Sequence, residues 1–210
     1  MTAILPLLMI VLIFACVATL YADGMWSNAV RLINVVTAAL LATNFFEPLA
    51  RWLDGWQPSY TYLWDFLSLW AIFAFSFGIL CEVTNRISQV KVRFLKIADR
   101  VGSGVLALWI GWVMVCFTMM TLHTAPLSRE FLFKGFQPEE RMVFGLAPDR
   151  QWLGFTQKMS MGAFSRSATP DEWARGKYVF DPKGEFLPKY ATRRAQLQEN
   201  ITKFDTLTVK

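Results

Sequence analysis

Four apolar stretches, each close to the thickness of a lipid bilayer, constrain the fold of this chain more than any other feature. A helix needs roughly 20 apolar residues to cross the hydrocarbon core of a membrane. The stretches lie at about residues 4–21, 29–49, 63–83 and 101–122. They predict an all-α polytopic membrane protein, with a four-helix transmembrane domain over residues 1–123. A small C-terminal tail with short helices and irregular segments is expected over residues 124–210.

Composition separates the two parts. Residues 1–123 contain 7 of the 21 Lys and Arg residues and 6 of the 16 Asp and Glu residues, and residues 124–210 contain the other 14 and 10. The tail is therefore net +4 and the membrane part +1. This modest positive charge suits anionic lipid headgroups or acidic partners, whereas nucleic acid binding requires a denser basic stripe. We expect no nucleic acid partner.

The first two stretches differ from the others in flanking charge and in polarity. No Lys or Arg precedes the first stretch, whereas a secretory signal has a basic start, so we expect a retained span. The second stretch is the most polar and includes Arg31 and Asn34. A charge at the centre of a membrane costs about 2.5–3.5 kcal/mol, so Arg31 should lie at the interface.

The loop over residues 85–100 predicts the orientation of the chain. It contains five basic residues against the single acid Asp99, and the basic residues are Arg86, Lys91, Arg93, Lys96 and Arg100. Positive charge in short loops stays on the cytoplasmic side, so this loop is expected inside. With four spans, the N-terminus and the tail would then lie outside, which is the periplasm for a protein of the bacterial inner membrane.

Small residues recur at helical spacing in the last two spans. They predict close packing, because small side chains let helix backbones approach each other in lipid. The residues assigned to packing are Ala71, Ala74 and Gly78 in the third span and Gly102, Gly104, Ala107 and Gly111 in the fourth. We expect the two stripes to face each other, because a short loop joins the two spans.

A cluster of polar side chains at the cytoplasmic mouth is the site hypothesis. Glu82 and Arg100 lie at the same depth and could pair, and Arg31 could approach Asp99 or Glu82, with Asn34 one turn further into the membrane. Ionisable groups inside a membrane often mark a functional site, but groups near the interface also serve to clamp a bundle. The cluster therefore predicts either a structural clamp or an ion or proton path.

The sequence has no pattern typical of catalysis or of metal binding. Cys16, Cys81 and Cys116 lie in apolar stretches, and His123 is the single histidine. Buried cysteines usually behave as small apolar side chains. We therefore expect no enzymatic activity, no cofactor, no metal site and no disulfide.

Two segments of the membrane part resemble the colicin V production protein (CvpA) family. One is the run Asp99-Arg100-Val101-Gly102-Ser103-Gly104, followed by Gly111, at the start of the fourth span. The other extends from Trp64-Asp65-Phe66 through Gly78 to Glu82-Val83-Thr84-Asn85-Arg86. The similarity covers about residues 5–122. One loop departs from the family, because an Arg-Gly followed by basic and acidic residues is replaced by Ala22-Asp23-Gly24, of which only Gly24 corresponds.

The resemblance implies a non-catalytic protein of the inner membrane with a role in colicin V production or export and in envelope maintenance. The residue patterns and the family resemblance together favour an assembly or scaffold protein. It would work as a homo-oligomer or with other membrane or periplasmic proteins. The alternative is an oligomeric channel or small transporter subunit with a polar path at the cytoplasmic end. An enzyme is disfavoured, because one histidine and scattered carboxylates form no evident acid/base pair.

The tail is expected to consist of short elements, because six prolines divide it. One segment has apolar residues at helical spacing, namely Trp152, Phe155, Met159 and Ala163. A second segment, residues 191–204, resembles a polar, exposed helix that includes Arg193 and Arg194. Asp181-Pro182-Lys183-Gly184 is typical of a turn. Just after the fourth span, a group of apolar residues suggests a segment that lies at the membrane surface. These residues are Leu127, Phe131, Leu132, Phe133 and Phe136. Whether the tail lies on the membrane domain or on a partner is left open by the sequence.

Overall fold

The computed structural model describes residues 4–88, 95–127, 136, 141–162, 165, 169, 171–172, 176 and 178–208. Its helices in chain order are α1 (Ile4–Leu20), α2 (Met25–Trp56), α3 (Thr61–Ile87), α4 (Lys96–Thr124), α5 (Pro148–Met161) and α6 (Phe186–Thr208). Short 3₁₀ turns at Tyr21–Asp23 and Pro58–Tyr60 join the first three helices. No strand occurs in the described ranges.

The first four helices form the membrane domain. Each is long and apolar enough to cross a membrane, which confirms the all-α class and the four spans. Helix α2, at 32 residues, extends beyond the apolar stretch at both ends and contains Pro48. We define the hinge end of the bundle as the end where α3 finishes and α4 begins. The tail end is the opposite one, where α2 and α4 finish.

Helix α2 packs along both α3 and α4, and α1 packs along α4. The contact is close because Ala38, Ala39 and Ala42 of α2 are fully buried. Aromatic rings fill the space beside them, with the Phe73 and Phe117 centroids 4.9 Å apart. Acyl chains are as apolar as the side chains, so the hydrophobic effect does not drive helices together in lipid. Tight packing of this kind therefore stabilises helix association there.

The predicted contact between the two stripes of small residues is wrong. Helix α3 buries Asp65, Ser68, Leu69 and Phe73, which lie on the side of the helix opposite its stripe. The stripe residues Ala71, Ala74 and Gly78 are exposed, and no atom lies within 4 Å of where a Gly78 Cβ would be. The larger side chains of α3 therefore occupy the interior, where they contribute more dispersion contacts than small residues can.

Gly104 and Gly111 of α4 contact the first loop and α1 instead of α3, and Gly102 adjoins Met25 at the start of α2. A Cβ on Gly111 would lie 3.1 Å from the Cα of Ile13, and one on Gly104 would lie 3.3 Å from the ring of Tyr21. Ala107, in the same stripe, is fully buried. Small residues on α4 thus permit close packing, as expected, but the partner helix is α1.

The tail lies on the membrane domain. Helix α5 packs along α4, and its Trp152 ring lies edge-on to Phe117 with the centroids 5.8 Å apart. The predicted helical repeat is therefore present as far as Met161, whereas Ala163 and Phe131–Phe133 lie outside the described residues. Phe136 is buried in the cluster that contains Leu5 of α1.

Helix α6 corrects the expectation that the prolines exclude a long helix from the tail. It has 23 residues, and Pro188 is its third residue. In the first turn a backbone N–H has no intrahelical acceptor, so proline removes no helical hydrogen bond there. The Asp181 carboxylate accepts hydrogen bonds from the N–H groups of Glu185 and Phe186, at 2.6 and 3.1 Å. This cap follows the expected turn at 181–184 and begins the helix.

Candidate functional site

Polar side chains collect at the two ends of the bundle, and the predicted cluster belongs to the hinge end. Arg31 forms an ion pair with Asp23 of the first loop, not with Asp99 or Glu82. Both side chains are partly exposed, at 34% and 39%. The predicted partner was wrong because the turn after α1 brings Asp23 beside the first turns of α2, nearer in sequence than either alternative.

Glu82 and Arg100 are not brought together by the described part of the structure. The Glu82 carboxylate accepts a hydrogen bond of 2.7 Å from Arg86, four residues later on the same helix. Both side chains of that pair are more than 60% exposed, and Arg100 is also exposed. Pairs of this kind contribute little to stability, so Glu82 and Arg100 are surface charges of the hinge end.

Asp99 has a definite structural role. Its carboxylate accepts a hydrogen bond of 2.9 Å from the N–H of Met25, the first residue of α2. Gly24, directly before, has a φ of +87°, and a Cβ there would approach the Asp99 carboxylate to 3.4 Å. A carboxylate at a helix N-terminus accepts a hydrogen bond from a free N–H group and is attracted to the positive end of the helix dipole. Asp99 of α4 thus caps α2.

A buried polar network beside this cap was missed by the sequence analysis. Asn28 is fully buried, and its amide donates to the Ser103 hydroxyl and to the carbonyl of Leu20, both at 2.9 Å. The Ser103 hydroxyl donates to the carbonyl of Tyr21 at 2.8 Å. The network joins α1, α2 and α4. Its residues Asn28 and Ser103 were not distinguished in the sequence, because both helix starts carry other polar side chains, such as Arg31 and Asp99.

Four of the six residues in the run from Asp99 to Gly104 have defined structural roles. Asp99 caps α2, Ser103 bonds to Asn28, and Gly104 leaves room for the ring of Tyr21. Gly102 adjoins the Met25 side chain, which would have to move to admit a Cβ. The run therefore holds the start of α4 against the loop between α1 and α2.

Asn34 lies deeper in the bundle, between α2 and α3. It is buried, and its amide donates to the Thr84 hydroxyl at 2.8 Å. Beside it a cleft of about 220 Å³ opens at the hinge end, and Arg31 and Asp23 also line it. Of the five predicted cluster residues, Arg31 and Asn34 share this cleft, whereas Glu82, Asp99 and Arg100 do not line it.

The second polar assembly joins α6 to the tail end of the bundle. Asp65 of α3 accepts hydrogen bonds from the Arg193 guanidinium and from the Tyr190 hydroxyl, the latter at 3.0 Å. Arg193 also donates to the carbonyl of Thr61 at 2.6 Å. Lys189 forms an ion pair of 2.6 Å with Glu47 of α2. We call the set Glu47, Asp65, Lys189, Tyr190 and Arg193 the tail clamp.

The tail clamp differs in burial from one part to another. Lys189 and Glu47 are about half exposed, whereas Asp65 is 10% exposed and Tyr190 is buried. Burial, together with the nearby Asp65 carboxylate, raises the pKa of the Tyr190 hydroxyl far above its usual range. Arg193, expected to be an exposed residue of a surface helix, is instead a docking residue.

His123 and Asp149 form a further link between tail and bundle. The His123 Nε2 and an Asp149 carboxylate oxygen lie 3.0 Å apart, and both side chains are fully buried. His123 Nδ1 and the second Asp149 oxygen have no hydrogen-bond partner among the described residues. The sequence analysis did not identify this buried pair. The described residues contain no group of three potential metal ligands.

These features define the class first: an α-helical polytopic membrane protein whose soluble tail is fastened to its own spans. The model of the colicin V production protein family matches residues 5–137. The chain belongs to this family. Comparisons with curated proteins and with solved structures gave no significant match.

Proposed function

We propose that the protein is a non-catalytic assembly subunit of the bacterial inner membrane, which acts in the production or export of a colicin V type toxin and in envelope maintenance. Family membership supports the link to toxin production. The observation that supports an assembly role most is the tail clamp. It attaches α6 to two spans and so holds an extramembrane surface in a defined position relative to the bilayer.

The interior of the bundle also favours assembly over conduction by a single chain. Side chains fill the described core of the bundle next to the hinge-end cleft. The residues that show this, each at most 1% exposed, are Ala38, Ala39, Ala42 and Phe117. A channel would therefore need several copies around a common axis. In the proposed orientation the 85–100 loop is cytoplasmic, and the N-terminus and the tail are periplasmic.

The distal part of α6 supplies a surface for partners in this proposal. Gln196, Gln198 and Asn200 are exposed and lie beyond the clamp residues. The clamp would fix where this polar surface stands, while partner proteins or further copies of the chain bind to it. The expected partners are membrane or periplasmic proteins, and the bilayer surrounds the four spans.

Purification of the full chain in mild detergent tests the proposal. Partners at a fixed ratio are expected with the native chain, and Asp65→Asn should reduce them at least several-fold, because the tail loses its charged anchor. Glu82→Gln is the matched control, since it removes a carboxylate from an exposed pair at the other end. Ion conductance by the isolated protein in liposomes, without co-purifying partners, would refute the assembly role.

The orientation has its own test. Alkaline phosphatase is active only in the periplasm, so a fusion after Lys210 should be active, whereas a fusion in the 85–100 loop should be inactive. The reverse result would place the tail in the cytoplasm. Partners would then have to be sought among cytoplasmic proteins.

A further inference from the structure

The cleft between α2 and α3 at the hinge end has a polar lining within a membrane domain. It measures about 220 Å³, and its lining includes Asp23, Trp26, Ser27, Arg31, Asn34 and Asn85. Polar cavities between spans are uncommon, because the bilayer core contains no water and each buried polar group needs a hydrogen-bond partner within the protein. The size suits a small polar group rather than an extended peptide.

Two ionised groups line this cleft with bonding capacity to spare. Asp23 engages one nitrogen of the Arg31 guanidinium, Nη1, through one of its two carboxylate oxygens. A guanidinium carries five N–H donors, and the described residues supply no partner for the others or for the second Asp23 oxygen. The described lining residues therefore offer one cationic and one anionic binding position side by side, and their formal charges sum to zero.

The cleft opens next to a lipid-facing surface of α2. Trp26 and Ile33 are seven residues apart and so share one face of that helix, and they are 37% and 65% exposed. The Trp26 indole donates to the Ser88 hydroxyl at 2.8 Å, which places the ring at the edge of the cleft. Tryptophan is typical of the depth at which lipid headgroups lie.

We propose that this cleft binds the headgroup of a zwitterionic phospholipid, a phosphate followed by an ammonium group. Arg31 would bind the phosphate, because a guanidinium fork matches phosphate oxygens with two parallel hydrogen bonds. Asp23 and the face of Trp26 would bind the ammonium group, by charge and by cation–π attraction. The acyl chains would lie along the face of α2 that carries Ile33.

Charge balance selects this ligand over singly charged ones. An anionic headgroup without an ammonium group would meet the Asp23 carboxylate, and a cation alone would meet Arg31. A ligand with both charges satisfies both positions and leaves no ion unpaired. The cleft lies at the hinge end, away from the tail clamp that supports the assembly role.

Native mass spectrometry of the full chain in mild detergent tests the proposal. The probes are phosphatidylethanolamine, phosphatidylglycerol and the soluble headgroup glycerophosphoethanolamine, each titrated in turn. The native protein should prefer phosphatidylethanolamine. Arg31→Gln should weaken its binding roughly tenfold, the effect of losing a charge-assisted hydrogen bond. Arg86→Gln is the matched control, because Arg86 lies at the same end but outside the cleft.

A second variant separates binding from folding. Ser27→Phe fills the cleft without removing a charge, and it should also weaken phosphatidylethanolamine binding while the protein keeps its elution volume and helical circular dichroism. Equal binding by Arg31→Gln and Arg86→Gln would overturn the proposal, as would equal affinity for phosphatidylglycerol. Binding of the soluble headgroup as tightly as the lipid would indicate a free solute and would also overturn it.

Discussion

The Asp65 carboxylate on α3 and the Arg193 guanidinium on α6 form an ion pair, although 128 residues separate them in the chain. The pair is mostly shielded from water, and the Tyr190 hydroxyl bonds to the same carboxylate. A polar residue of a membrane helix is thereby paired with the soluble tail. The tail accordingly forms part of the structure of the membrane domain.

Asp65→Asn should loosen the tail. The substitution removes the charge that Arg193 faces, and leaving a largely buried ionic group without its partner costs on the order of 1–3 kcal/mol. Limited proteolysis should then cleave the tail faster, and the thermal midpoint in detergent should fall. Glu82→Gln, in an exposed pair, should change the stability by less than about 1 kcal/mol. Equal proteolysis of the two variants would mean that the clamp does not hold α6.

Gly111→Val should destabilise the contact between α1 and α4. A Cβ at this position would lie 3.1 Å from the Ile13 backbone, so α1 must shift, and overpacking of this kind costs about 1–3 kcal/mol. Gly78→Val is the matched control, because nothing lies within 4 Å of its Cβ position. Thermal unfolding in detergent measures both. A lower midpoint for the Gly78 variant than for the Gly111 variant would contradict the observed pairing of α1 with α4.

His123 and Asp149 permit a test of catalysis against structure. His123→Leu alone leaves the Asp149 carboxylate buried without its partner and should cost about 3–5 kcal/mol, whereas the double variant His123→Leu/Asp149→Leu should recover much of this loss. Thermal unfolding in detergent measures the recovery. If the pair is structural, the double variant should also complement a deletion strain. A stable double variant that fails to complement would indicate that the pair has a functional role beyond stability.

The Tyr190 hydroxyl predicts a loss of stability at alkaline pH. Burial and the Asp65 carboxylate raise its pKa in the folded protein above the unfolded value of about 10. The stabilisation is therefore complete below pH 10 and declines as the pH rises above it, because the unfolded chain releases the proton first. Proteolysis of the tail should accelerate over this range in the native protein and less so in Tyr190→Phe. An identical pH profile for both would exclude Tyr190 as the cause.

Sequence patterns were sufficient for the membrane helices, because bilayer thickness and backbone hydrogen bonding leave few alternatives for long apolar runs. They did not predict which helices pack against each other. Ala71 and Gly78 on α3 have the same signature as Gly104 and Gly111 on α4, yet only the latter lie at a helix contact. Periodicity identifies a face of a helix but not which neighbour covers it.

The candidate site was predictable only in part, for the same reason. Arg31 and Asn34 were identified as polar residues of a span, and they do share the cleft, but the partner of Arg31 was misassigned. Nothing in the local pattern around Lys189 or Arg193 distinguishes a docking residue from a solvated one. Such roles depend on which distant carboxylate the fold places nearby.

The sequence by itself determined the class of the protein, its four spans, its charge asymmetry and its family, because each follows from local composition or from a short run of residues. Only the tertiary structure decided that α1 and the turn after it, rather than α3, cover Gly104 and Gly111 of α4, that Asp99 caps α2, and that α6 is fastened to Asp65. These contacts join residues far apart in the chain, and the packing of whole helices selects them.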